Sequence, residues 1–157
     1  MTDGPGLRLV VFGQGCPHGC HGCHNPETHD PDGGTLRTTD EVLKAYDRDP
    51  LLSGITLSGG EPFAQPIPMA ALADAVHARG GDVICYTGYT LETLQARART
   101  EHDIARLLDA VDLLIDGPFI LEKRSLACPF RGSTNQRVIA MNETRGRLLA
   151  QKISDGF

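Results

Sequence analysis

From Gly15 to Pro26 the chain reads GCPHGCHGCHNP, with Cys16, Cys20 and Cys23 spaced C-x3-C-x2-C and His18, His21 and His24 among them. Thiols and imidazoles at that density point to a held group, and three chemistries compete for it. A structural zinc ion takes four ligands, usually as two separated pairs. No second pair follows, because Cys85 and Cys128 stand far apart, so zinc would need one of the three histidines as its fourth ligand. A redox disulfide uses a single C-x-x-C and leaves the third cysteine idle. Three thiolates on a four-iron cube leave one iron without a protein ligand, open to a substrate or cofactor. Five cysteines, an odd number with three inside eight residues, do not form a secreted disulfide framework. Metal or cluster ligation is the favoured reading.

The elements around this loop would have to present it. Leu7 to Phe12 is rich in β-branched and apolar residues and reads as a buried strand that runs straight into the cysteines. Thr38 to Glu41 fits a capping box ahead of a helix with Val42, Leu43 and Tyr46 on one face. Ile55 to Leu57 is a short strand ending in SGGEP. Pro66 and Pro68 open a helix that Gly80 and Gly81 stop. Val83 to Tyr86 is the next strand; Thr90 caps one helix and Asp103 another, the latter carrying Ile104, Leu107, Leu108 and Val111 at helical spacing. Leu113 to Ile115 and Arg137 to Ala140 complete about five strands. The tail from 143 to 157 is weakly patterned.

Strands alternating with helices imply a parallel sheet with right-handed crossovers. Five are too few to close an eight-stranded barrel, so the expectation is an α/β fold: a partial (βα) barrel of about five parallel strands, one domain over residues 1–157. GQGC, SGGEP, YTGYT and DGPF each follow a strand directly, which gathers them at the C-terminal edge of the sheet, where parallel α/β folds place ligands.

Composition narrows the class. With 157 residues, 40% hydrophobic and 22% charged, the chain is globular. It has no apolar run of spanning length and no visible export signal, so a cytoplasmic location is expected. A net charge of −5 argues against a general nucleic-acid binder, which needs a basic face.

C-x3-C-x2-C after the first strand and SGGEP after the second resemble the radical S-adenosylmethionine (SAM) superfamily. The prefix DGPGLRLVVFGQGC, Asp3 to Cys16, resembles the opening of glycyl-radical-enzyme activases. YTGYTLETL from Tyr86 and DGPF…FRGSTNQRVI from Asp116 resemble the activating proteins of anaerobic ribonucleoside-triphosphate reductases. The resemblance covers about residues 3–140. It implies a [4Fe-4S] cluster held by Cys16, Cys20 and Cys23, with SAM on the open iron. One-electron cleavage then gives a 5′-deoxyadenosyl radical that takes a hydrogen atom from a glycine of the large reductase chain.

It also implies SAM contacts at Ser58, Gly59, Gly60 and Glu61, at Gly22 and His24 flanking Cys23, and at Asp116. Against these stand plainer roles: SGGEP as a strand-to-helix turn, with Glu61 fixing the loop, and Asp116 as a turn aspartate. Arg131 and Asn135 are candidates for the SAM carboxylate or the partner's glycyl loop. One departure is Gly22, where many radical SAM proteins carry an aromatic residue; His24 could take part of its role. Cys85 reads as a core thiol, Cys128 as a loop thiol, and His29, His77 and His102 as surface residues.

The implied partners are the reductase, an electron donor such as flavodoxin, and a second copy in a homodimer. Competing functions are activation of another glycyl-radical enzyme of the pyruvate formate-lyase type, a zinc-binding interaction module, and radical chemistry on a small molecule.

Overall fold

The computed structural model describes residues 3–156. Five strands form one sheet in sequential order: β1 Arg8–Gly13, β2 Gly54–Gly59, β3 Asp82–Tyr86, β4 Leu113–Asp116 and β5 Arg137–Ala140. β1 to β4 are parallel, linked through α1 Thr39–Asp47, α2 Pro66–Ala78, and the pair α3 Leu91–Ala98 and α4 His102–Ala110. β5 runs antiparallel to β4, so the expectation of five parallel strands is corrected to four plus one. A parallel return needs a crossover, usually a helix. The stretch after β4 instead folds as a loop, with one short 3-10 turn at Leu121–Lys123 and a bridge from Arg124 to Ser133.

Side-chain alternation splits the sheet into two apolar faces. Ile55, Leu57, Val83, Cys85 and Leu114 pack against α2, α3, α4 and Tyr46 of α1. Ile84, Leu113 and Ile115 point the other way and are covered by a fifth helix, α5 Arg145–Ser154, through Leu149 and Ile153. The weakly patterned tail is therefore a packed helix. β1, read as buried, is an edge strand, and its Phe12 is 54% exposed.

Caps explain most helix starts. Thr38 and Glu41 form the reciprocal capping box of α1, and the Thr90 side chain accepts from Thr93 N at the head of α3. Asp103 is not a cap: α4 begins at His102, and Asp103 sits in its first turn, where its charge suits the helix dipole. His77 is not a free surface residue either, because its Nε2 lies 2.8 Å from the buried Asp112 carboxylate. His29 is half-buried with Nε2 enclosed, and His102 is exposed as expected. Among the described residues no helix is long and apolar enough to cross a membrane.

Candidate functional site

The four parallel strands end side by side, and the loops that follow them meet above the C-terminal edge. The cysteine loop is stitched to its own far end by Gly15 N to Thr28 O (2.8 Å) and Cys16 N to His29 O (3.2 Å). It is stitched to the SGGEP turn by Gly60 N to Gly13 O and Glu61 N to Gly15 O, both 2.9 Å. The two glycines of the turn are required by that closeness. A Cβ on Gly60 would stand 2.5 Å from Gly15 O, and one on Gly59 would stand 2.7 Å from Phe12 Cα. The backbone approach that these glycines permit is thus filled by the cysteine loop itself.

Glu61 is the hub of the site. It is 1% exposed, and four groups engage its carboxylate. His18 Nε2 lies 2.7 Å from Oε1, Gly88 N donates to Oε1 at 2.8 Å, and Phe63 N donates to Oε2 at 3.0 Å. Thr87 Oγ1 reaches both oxygens at 2.8 and 3.0 Å. Those donors come from the cysteine loop, the SGGEP turn and the YTGYT turn, so one buried charge joins three loops. A buried carboxylate is tolerated when its lone pairs are met in this way.

The second half of the cysteine loop leans on the segment between β4 and β5. His24 is tilted against Phe119 with ring centroids 4.8 Å apart, and a Cβ on Gly132 would touch both rings. Gly22 has φ 73°, and a Cβ there would meet Leu121 at 3.1 Å. Leu121 thus fills the space into which an aromatic residue at position 22 would project. Tyr86 Oη donates to Phe130 O at 2.7 Å, and burial pushes its phenol pKa up.

Asp116 is 1% exposed and turned toward the helices: Leu91 N donates to it at 2.7 Å, and Arg137 engages both its oxygens. The structure thus gives Asp116 the structural partners of a turn aspartate and adds an arginine. Asn135 Nδ2 donates to Pro118 O and Arg131 Nη1 to Gln136 O, while Asn135 Oδ1 and Arg131 Nε are enclosed with no hydrogen-bond partner.

Cys16, Cys20 and Cys23 are all free and half-buried. Burial, first, raises the Cys16 thiol pKa; the main-chain N–H of His18 opposes it, and the charges of Glu61, Cys20 and Cys23 add to the rise. Asn25 N donates to Cys23 Sγ at 3.4 Å. Three free thiols on one loop are the ligand type that an iron–sulfur cluster takes. Among the described residues no three His, Cys, Asp or Glu side chains converge as ligands of a metal ion. Of the three histidines in the loop, His18 is engaged by Glu61, His24 rests on Phe119, and His21 is exposed.

Cys16 thus lies with Ser58, Gly59, Gly60 and Glu61 at the end of β1 and β2, Cys20 and Cys23 follow it in the same loop, Gly22 and His24 lean toward the β4–β5 segment, and Asp116 lies apart beneath α3. His18, Thr87 and Gly88 carry site contacts that the sequence reading did not assign. The available signal was the position of His18 between two cysteines and of Thr87-Gly88 directly after a strand.

The sequence matches the family described as "4Fe-4S single cluster domain" over residues 2–139. It is 34% identical over 146 residues to the anaerobic ribonucleoside-triphosphate reductase-activating protein of Salmonella typhimurium, covering 88% of this chain and 91% of that protein. The protein of the same description from Enterobacteria phage T4 is 33% identical over 88% of this chain and 86% of its own length. Over 71 residues, 42% of this chain and 30% of the relative, identity is 46% to the pyruvate formate-lyase-activating enzyme of Clostridium pasteurianum.

Proposed function

Because the chain belongs to the 4Fe-4S single-cluster domain family and to the anaerobic ribonucleoside-triphosphate reductase-activating proteins, we propose that it is a radical SAM activase whose substrate is one glycine of such a reductase. The observation that carries this reading is the convergence, through Glu61, of the three-cysteine loop with the turns after β2 and β3. When bound, the [4Fe-4S] cluster and SAM supply one-electron cleavage of a sulfonium bond and the means to abstract a hydrogen atom.

The chain's own residues bind and orient. Cys16, Cys20 and Cys23 are the ligands, leaving one iron for the cofactor. Main-chain groups of Ser58, Gly59 and Gly60, with Gly22 and His24, would receive the methionine end of SAM. The enclosed, unpartnered Arg131 Nε and Asn135 Oδ1 suit a carboxylate and a hydrogen-bond donor respectively, since buried polar groups seek partners. Asp116 serves as a positioning residue, anchoring α3 to β4.

Glycine fits as the target because its α-radical is delocalised between amide and carbonyl and no side chain blocks approach. The four parallel strands are read as part of a (βα) barrel whose open side admits a protein loop. A cytoplasmic location, a flavodoxin-type electron donor and a homodimer belong to the same proposal. The match to a pyruvate formate-lyase-activating enzyme supports a second reading, in which the partner is another glycyl-radical enzyme.

The test is electron paramagnetic resonance on anaerobically reconstituted, reduced protein, with and without SAM, followed by incubation with each candidate partner. The expected result is a four-iron signal that changes with SAM, and a glycyl radical on the ribonucleotide reductase. Tightly bound zinc with no iron signal would overturn the reading. A radical formed only on a formate-lyase would select the second one.

A further inference from the structure

His18 stands between two candidate ligands, Cys16 and Cys20, and its side chain is held by residues outside the cysteine loop. Its Nε2 is 2.7 Å from Glu61 Oε1, and its ring is edge-on to Tyr89 at 4.5 Å. The ring also lies on the backbone of Gly88, where an added Cβ would fall 2.6 Å from Nε2. The side chain is 15% exposed and Glu61 is 1% exposed. Both oxygens of Glu61 are already occupied by His18, Thr87, Gly88 and Phe63. A carboxylate saturated in this way is a fixed anchor.

We propose that Glu61 and His18 are a positioning pair: Glu61, fixed on the ends of β2 and β3, holds the imidazole, and the imidazole sets the Cys16–Cys20 segment. The inference rests on the cluster reading of the loop. It goes further in assigning Glu61 to the loop instead of to the ammonium group of SAM, and in making the segment ordered before any cluster binds. Hydrogen bonds to cluster sulfurs are among the factors that set cluster potentials.

Three variants separate the contributions. H18F keeps a ring and removes the donor, H18Q keeps a donor near the position of Nε2, and E61Q replaces one acceptor oxygen with an amide. In apoprotein, alkylation followed by peptide mass spectrometry is expected to label Cys16 and Cys20 faster in H18F and E61Q than in wild type. The Cys128 rate should stay the same, and H18Q should restore the wild-type pattern. In reconstituted protein, cluster affinity should fall about ten- to a hundredfold in H18F and E61Q, the usual cost of losing a group that orients metal ligands. The cluster potential should shift in H18F, and the double variant should be no worse than either single one, as for groups acting as a unit.

Wild-type labelling and potential in H18F would overturn the pair. So would an E61Q protein with normal labelling and cluster but a lost SAM-induced spectral change, which would make Glu61 a cofactor ligand. If H18F shows no cooperative melt, G88A, which crowds the imidazole without removing a polar group, carries the same expectation for labelling and potential. Failure of the wild-type protein to take up iron would overturn the cluster reading alone, and the apoprotein labelling would still decide whether the pair orders the loop.

Discussion

Arg137 reaches from the antiparallel strand β5 over the carboxylate that ends β4: its Nε is 3.0 Å from Asp116 Oδ1, and its Nη2 donates to Oδ2. The same guanidinium grips Glu92 of α3 with Nη1 and Nη2 at 2.9 and 2.7 Å. Asp116 is 1% exposed and its remaining donor is Leu91 N, so Arg137 supplies most of its neutralisation. Replacing Arg137 with Met should therefore cost about 2 kcal/mol, in the range for hydrogen bonds to charged groups. Urea unfolding at neutral pH measures it; an unchanged midpoint would mean that Leu91 N and solvent suffice.

Glu92 reports on the same contact from the other side. The bidentate Arg137 hydrogen bonds lower its carboxyl pKa from 4.5 to about 2. A depressed folded-state value means that the bridge contributes fully above the ordinary glutamate range. That contribution is lost as the pH falls from about 4.5 toward 2. Because Glu92 is exposed, the effect belongs to its titration more than to global stability. Carboxyl-detected NMR should find the depressed value in the native chain and an ordinary one in R137M.

Gly60 separates two explanations of the SGGEP turn. An alanine there would press its Cβ onto Gly15 O and Thr28 O, both backbone atoms that cannot swing aside. G60A is expected to lose roughly 1–3 kcal/mol from this overpacking. It should also lower iron uptake, because the strain falls on the cysteine loop. A variant with native stability and iron content but impaired response to SAM would show that the glycine serves the cofactor and not the loop.

The parallel core was legible because its signals are local. Each of β2, β3 and β4 is a short apolar run flanked by turn residues, and Thr38 and Thr90 announce their helices through hydrogen bonds to residues three positions away. The gathering of motifs at one edge followed from strand direction alone. What the sequence hid depends on distant partners. The direction of β5 is set by a helix-free connection, the role of His18 by a carboxylate 43 residues away, and the fate of Asp116 by an arginine 21 residues away. Cys85 lies between these extremes. An apolar strand marked it as core, and burial, with the Glu61 charge adding, raises its pKa well above the usual thiol value. Alkylation of folded protein at neutral pH should accordingly spare Cys85 and reach it only on unfolding.

α5 was the largest element missing from the pattern, and its energetics follow from how little of it is apolar. Of Leu148, Leu149 and Ile153, only Leu149 and Ile153 are buried, against Ile84, Leu113 and Ile115; Leu148 is 61% exposed. Two inward residues four positions apart make a narrow stripe that gives a weak periodic signal, yet they cover the apolar residues of β3 and β4 on that face. The start of the helix is pinned as well. Gly146 lies against Asp112 O with no room for a Cβ, and Asn142 Oδ1 accepts from Gly146 N at 2.9 Å. Leu149→Ala should cost about 2–5 kcal/mol as a cavity in a packed core. Leu148→Ala, one position away and exposed, should stay within about 0.5 kcal/mol. Thermal melts of the two apoproteins test this directly: equal small effects would mean that α5 frays from the sheet and that the face it covers is available to something else.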